Sequence, residues 1–282
     1  MKFSMNPIAP FLIDIKSGQI AHKKLGVATT KSIFDADPYR ENLVSAYSIA
    51  QTQKFLDKEI VLAWKHVKSN RRPPALTRTR WVWRLAGAYH SSRHTTRLME
   101  QAAQNFAASG RKSLAQWATQ KAREEAGHDR LALLDIQSMG YDAEAVVQML
   151  VPSPIQALID YFIQTVQTSY PIACVGFFYT AERLGTFQGE EYIQSVQALL
   201  APGINATRWL RIHSGVGAEV KHVEETIKIV AMLTHQERNR VAKACYETSL
   251  LRFTPPKEDY ISDEELQNIL KPLQLNTCYE CN

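Results

Sequence analysis

The chain of 282 residues has only four cysteines, too few and too scattered for a disulfide framework, so a reducing compartment, the cytoplasm, is expected. Cys278-Tyr-Glu-Cys281 is a lone C-x-x-C. No second pair completes a zinc site, and a redox pair belongs at a helix start inside a fold, so this one reads as a frayed tail. Long apolar runs are also missing. Nothing approaches the roughly 18 residues of a membrane span, and Pro7, Pro10 and Asp14 break the N-terminal stretch that a signal peptide would need. Charge of one sign is weak, at a net +5. The one local concentration (Lys65, Lys68, Arg71, Arg72, Arg78, Arg80) reads as a solvated loop, and no nucleic-acid partner is expected. Alternating β-branched runs and tandem repeats are absent, which argues against a sheet-based fold and a solenoid.

What is present is helical. Hydrophobic content of 45% and charged content of 22% are those of an ordinary globular protein. The periodicity and breakers predict helices over 39–69, 77–108 and 112–139, a short one after Asp142, then 155–169, 171–186, 188–200, 205–233 and 235–252. Gly140 ends a helix and Pro171 starts one, while Ser262-Asp-Glu-Glu265 is a capping box opening a last short helix. These elements give one all-α domain of about seven to nine helices. Residues 1–38 form an N-terminal arm, 39–255 the helical domain and 256–282 a C-terminal extension.

Two motifs share one spacing, Glu125-Ala-Gly-His128 and Glu219-Val-Lys-His222. Residues three apart on a helix point to one side, so each pair presents a carboxylate and an imidazole together. Two such pairs on different helices, with bridging carboxylates between, make a di-iron or di-manganese site in a helical bundle. Glu182 lies on the helix between them, in an apolar and aromatic stretch where a lone carboxylate is costly unless paired or metal-bound; an ion pair with a core cation is the competing explanation. Phe177, Phe178, Tyr179 and Leu184 around it suggest a hydrophobic pocket or plain core. Upstream, His90 and His94 are four apart and share a face. Glu124 and Glu125 are about 100° apart on a helix, so only one should face the site, and the spacing favours Glu125.

The segments Tyr89-His-Ser-Ser-Arg-His94 and Arg123-Glu-Glu-Ala-Gly-His128, the latter continuing to Asp135 and Gly140, resemble the heme-oxygenase-like di-iron oxidases. These iron-containing redox enzymes are relatives of TenA, PqqC and CADD. Tyr170-Pro171 with Gly176-Phe-Phe-Tyr-Thr-Ala-Glu182 resembles their third ligand helix, and Glu219-Val-Lys-His222 their last, which typically reads His-x-x-x-Asp-x-x-His. The resemblance covers roughly residues 77–235. It departs in two places. The first ligand helix offers His90 and His94 where a carboxylate is usual, and the first His of the last motif falls on Gly215. His213 stands two residues away, and a π-bulge at Gly215 and Gly217 would bring it round.

The resemblance implies a heme-oxygenase-like bundle that binds Fe(II), two ions or manganese in their place. It would use O2 to oxidise a small organic substrate, as a monomer or a homodimer. The expected metal ligands are Glu125, His128, Glu182, Glu219 and His222, with His94, His90 and His213 on the weaker side, so that one iron is tight and the second labile. Glu125, Glu182 and Glu219 would be catalytic. Two alternatives stay open: a metal-free TenA-like hydrolase using Cys174 with Glu182, and a non-catalytic helical binding protein.

Overall fold

The structure, a computed structural model, describes residues 46–67, 74–253 and 261–275. The N-terminal arm and the Cys278/Cys281 pair lie outside these. In chain order the helices are α1 (Ala46–Val67), α2 (Arg78–Ser92), α3 (Thr95–Ala108), α4 (Lys112–Glu124), α5 (His128–Ser138), α6 (Ala143–Met149), α7 (Ser153–Val166), α8 (Ala173–Gly185), α9 (Glu190–Gln197), α10 (Arg208–Ile212), α11 (Glu219–Ala231), α12 (His235–Phe253) and α13 (Asp263–Leu270), followed by a 3-10 turn, Lys271–Leu273. Among the described residues there is no β-strand, only an isolated bridge between Tyr141 and Gln274.

The described helices outnumber the expected seven to nine because three long periodic stretches are broken. The stretch 77–108 breaks at Arg93-His94. The stretch 112–139 breaks at Gly127, whose φ of +83° is a left-handed conformation that glycine adopts without strain. The stretch 205–233 breaks between Ile212 and Glu219. At each break the chain passes from one apolar cluster to the other, so both flanking helices keep an apolar face and the periodicity runs on. Side chains cap other helix starts. Thr77 Oγ1 accepts from Arg80 N, Asp142 Oδ1 from Ala145 N and Ser262 Oγ from Glu265 N, each at 3.1 Å.

The buried apolar side chains form two clusters. One draws on α1, α3, α4, α7, α8, α11 and α12, for example Leu56, Phe106, Trp117, Phe178 and Val230. The other draws on α2, α5, α6, α9, α10 and α13, for example Trp81, Leu85, Ile136, Val146 and Leu266. Fully burying a large apolar side chain stabilises by about 1.5–3 kcal/mol, so each cluster is sizeable. Residues 261–275 pack on the domain: Leu266 and Leu270 are buried, and Arg80 donates to Asp263 Oδ1 from Nε at 3.0 Å. Arg78 donates to the Met139 carbonyl. Both described arginines of the basic cluster therefore serve tertiary structure.

α12 opens on a reciprocal capping box. Glu237 Oε2 accepts from Thr234 N at 2.8 Å, and Thr234 Oγ1 accepts from Glu237 N at 3.3 Å. Arg111 and the Tyr170 hydroxyl also donate to Glu237. Burial works upward on this carboxyl, but the hydrogen bonds from Arg111, Tyr170 and Thr234 outweigh it and hold its pKa at about 2 against the usual 4.5. A depressed folded pKa gives stability that is complete above pH 4.5 and is lost as pH falls towards 2. Glu237→Gln should cost about 1–2 kcal/mol at neutral pH, discounted for solvent screening. Urea unfolding at pH 7 and pH 3 should show the gap between variant and wild type closing in acid, whereas a constant gap would mean that the carboxylate charge is not what stabilises.

Candidate metal centre

Two helix breaks and one helix interior put the polar cluster at the seam between the two cores. α4 ends at Glu124, and Glu125 is its C-terminal cap. His128 is the first residue of α5. Glu219 is the first residue of α11 and His222 follows one turn later. Only Glu182 sits well inside a helix, on α8. The Glu-x-x-His spacing brings each pair together, but not mid-helix as expected. In the first pair it spans a bend.

His213, in the turn between α10 and α11, joins them. The predicted π-bulge is absent, and a full break does its work. The reason lies at the glycines. Gly215 N donates to the Gln188 carbonyl at 3.0 Å, and a Cβ at Gly215 would press on the Thr186 carbonyl oxygen. No larger residue fits where the resembled family places its histidine. A Cβ at Gly185 would lie 2.9 Å from the His213 carbonyl oxygen and 3.3 Å from Glu219 Cγ, so α8 passes close beneath this turn.

Two groups of ligand-type atoms result, Glu125 with His128 and His213, and Glu182 with Glu219 and His222, each within 4.8 Å of one another. In the first, His128 Nδ1 is 3.2 Å and His213 Nε2 4.0 Å from Glu125 Oε2. In the second, His222 Nδ1 is 3.6 Å from Glu219 Oε2 and 3.9 Å from Glu182 Oε1. Glu219 joins the two, because its other oxygen, Oε1, is 2.8 Å from His213 Nδ1. An ionised carboxylate only accepts, so His213 donates from Nδ1 and keeps Nε2 free to turn to the first group. The structure thus brings together Glu125, His128, Glu182, Glu219, His222 and His213.

His90 and His94 are not among them. His90 Nε2 sits 2.9 Å from the Val147 carbonyl and 3.1 Å from that of Leu150 and donates there, while His94 is the N-terminal cap of α3. Both have lowered pKa values, through burial first and the nearby Arg93 next for His94. Neither supplies the weaker side of the cluster.

Lys121, which the sequence reading left out, and Glu124, which it set aside in favour of Glu125, also belong to the cluster. Lys121, fully buried, places Nζ 2.8 Å from Glu182 Oε1 and 3.1 Å from Glu124 Oε2. Glu124 also approaches His222 Nε2, at 3.4 Å. Glu124 and Glu125 therefore both face the cluster, against expectation, because the helix ends between them. Lys121 had a signal: it falls on the buried stripe Leu114, Trp117, Ala118, Lys121, Ala122 of α4, where a lone cation needs an anion.

A supporting layer fixes these groups. Thr226 donates to Glu182 Oε2 and accepts from Trp117 Nε1, both at 3.3 Å. The Trp209 ring lies 4.6 Å from that of His213. Asp135, fully buried, accepts from Trp209 N and from Arg208 at 3.0 Å and so ties α10 to α5.

The electrostatics are those of a crowded anionic site. Burial pushes Glu182 up to about 7 against the pull of Lys121. Burial also works upward on Glu219, but the hydrogen bond from His213 and the nearby His222 hold it at about 2. His213 and His222 are raised, the loss from burial being outweighed by the carboxylates. Glu219 Oε2, His213 Nε2 and His222 Nδ1 are buried with no hydrogen-bond partner in the protein, while Glu182 Oε1 and Glu124 Oε2 face the Lys121 ammonium. The first three are ligand-type atoms of the two groups. Such atoms are costly to bury unless something binds them.

Two alternatives left open by the sequence are narrowed. Phe177, Phe178, Tyr179 and Leu184 are packed in or against the first core: Phe177 stacks on Phe162 at 4.4 Å and Tyr179 donates to Asp57 at 2.6 Å. Cys174 is wholly buried, and burial pushes its thiol far up, which leaves the hydrolase reading without a reactive thiolate.

No family model matches the chain, and no curated protein matches it. Among solved structures it is similar to a domain of unknown function with a heme oxygenase-like fold from Shewanella denitrificans, with a TM-score of 0.55 and 19% identity, over 82% of this chain and 94% of that one. This likeness shows the fold: the chain is an all-α protein with a heme oxygenase-like fold. No single described helix is long and apolar enough to cross a membrane.

Proposed function

We propose that this protein is a non-heme metal oxidase or oxygenase that binds Fe(II) at the Glu/His cluster and uses O2 to oxidise a small organic substrate. The observation that supports it is the convergence in one place of buried ligand-type atoms, of which Glu219 Oε2, His213 Nε2 and His222 Nδ1 have no hydrogen-bond partner. Carboxylate and imidazole donors without thiolate suit Fe(II) and Mn(II). The residues fit such ions: Glu125, His128 and His213 would hold one, Glu182 and His222 another, with Glu219 between them.

Bound ferrous iron would supply the electrons that reduce O2. The chain's own residues do the rest. Glu219 orients His213 through the Nδ1 hydrogen bond. Thr226 fixes the second oxygen of Glu182. The two apolar cores on either side keep bulk water from the ligands, which strengthens each charged contact.

Anaerobic loading with Fe(II), followed by metal analysis and then exposure to O2, tests this reading. Bound iron, O2 consumption and a transient visible absorption are expected. A chain that takes up no iron under these conditions would rule it out.

A further inference from the structure

Lys121 is the unusual member of the cluster. Its side chain is only 1% exposed, so the ammonium cannot turn out to solvent. It lies on Glu182 Oε1 at 2.8 Å and on Glu124 Oε2 at 3.1 Å, the latter one helical turn along α4. The two ligand groups differ sharply in this respect. Glu125 meets His128 and His213, whereas Glu182, in the other group, carries a fixed positive charge on the very oxygen that a metal would need.

We propose that Lys121 is a resident cation of the site, standing on the Glu182 side in place of a divalent ion. The chain then takes one tightly held ion at Glu125, His128 and His213, and a second at Glu182, Glu219 and His222 only against Lys121. This deepens the metal reading above and rests on it.

The physical case is short. A metal ligated by Glu182 Oε1 sits about 2 Å from that oxygen. The Lys121 ammonium already sits on the same oxygen, so the two cations would be close neighbours in a site with little water to screen them. Two carboxylates, Glu182 at 2.8 Å and Glu124 at 3.1 Å, hold the ammonium between them. Glu124 gives the ammonium a second anchor outside both ligand groups, which holds it whether or not the first ion is present. Removing only the charge should release Glu182 to the second ion. The inequality of the two positions then comes from a cation supplied by α4, not from missing ligands.

Titration with Mn(II), followed by the electron paramagnetic resonance of free ion, reads both positions without any turnover. In the wild type, one ion should bind tightly and a second at least about tenfold more weakly, as expected for two cations opposed in a poorly screened site. In Lys121→Met the second ion should tighten until the two are nearly equal. Two equally tight ions in the wild type would overturn the proposal, and so would a second affinity that Lys121→Met leaves unchanged. Failure of both proteins to bind any Mn(II) would instead sink the metal reading itself. Should Lys121→Met not fold, His128→Ala and His222→Ala decide in the wild-type background. His128→Ala should lose the tight ion and His222→Ala keep it, and the reverse pattern overturns the assignment.

Discussion

Glu219→Gln should remove metal from both positions at once. Its Oε1 meets His213 of one group and its Oε2 meets His222 of the other. Glutamine keeps the shape and one acceptor oxygen but cannot bridge as an anion. A ligand that binds only the folded state at a hundred times its dissociation constant stabilises by about 2.7 kcal/mol. For a domain of this size that is a rise of roughly 5–10 °C in Tm. The wild type should show this rise with Mn(II) or anaerobic Fe(II), and Glu219→Gln should show none and retain almost no metal after desalting. Glu225→Gln is the control, because Glu225 lies on the same helix in an exposed pair with Lys221 at 3.4 Å, worth less than about 1 kcal/mol. It should keep the full metal-induced rise. A rise of wild-type size in Glu219→Gln would show that Glu219 is not the shared ligand.

The same geometry explains what could be read from the residues beforehand. The spacing of Glu125 and His128, and of Glu219 and His222, is local information, and three-residue spacing keeps two side chains together whether the backbone is a helix or a bend around a glycine. Helix ends written in side-chain chemistry were equally legible. Gly140 ends α5 with φ +86°, and Ser262 caps α13. Register across the breaks was not. The left-handed turn at Gly127 makes Glu125 a cap and swings Glu124 onto His222, because the 100° step between neighbours holds only while the helix continues. His90 and His94 misled for a related reason: a histidine pair on one face is equally suited to hydrogen-bonding carbonyls, and His90 does so with Val147 and Leu150. Pairing at long range, as between Lys121 and Glu182, leaves no trace in spacing.

The breaks also have a functional sense. Ending α4 at Glu124 and restarting α11 at Glu219 lets short turns bring Glu125, His213 and Glu219 to one place. The start of α11 also carries free backbone N–H groups and a partial positive charge, which suits the ionised carboxylate of Glu219, its first residue.

Gly176→Ala is expected to be the most damaging small change in the scaffold. α8 crosses α12 at Gly176, where an added Cβ would press on the Val241 carbonyl oxygen and come within 2.8 Å of Ala244 Cβ and 3.0 Å of Cys245 N. Two of these three are backbone atoms, so no flexible side chain can give way and the helices must part. Alanine recovers about 1 kcal/mol of helix propensity over glycine, and overpacking costs typically 1–3 kcal/mol, more where backbone must move. The clash wins, with a net loss of about 2 kcal/mol and a fall in Tm of roughly 4–8 °C. The effect should reach the metal centre, since Glu182 rides on the same helix and would be carried off His222 and Lys121. Metal held on the Glu182 side should therefore weaken, while the ion at Glu125, His128 and His213 is spared, because none of those residues lies on α8. Gly189→Ala is the matched control, since nothing lies within 4 Å of a Cβ there, and its Tm should stay within about 2 °C of wild type. Thermal unfolding of the two variants, with Mn(II) titration of Gly176→Ala, reads both effects. A Gly176→Ala protein as stable as wild type would mean that α8 and α12 can separate freely, and Glu182 would then not be held by this crossing.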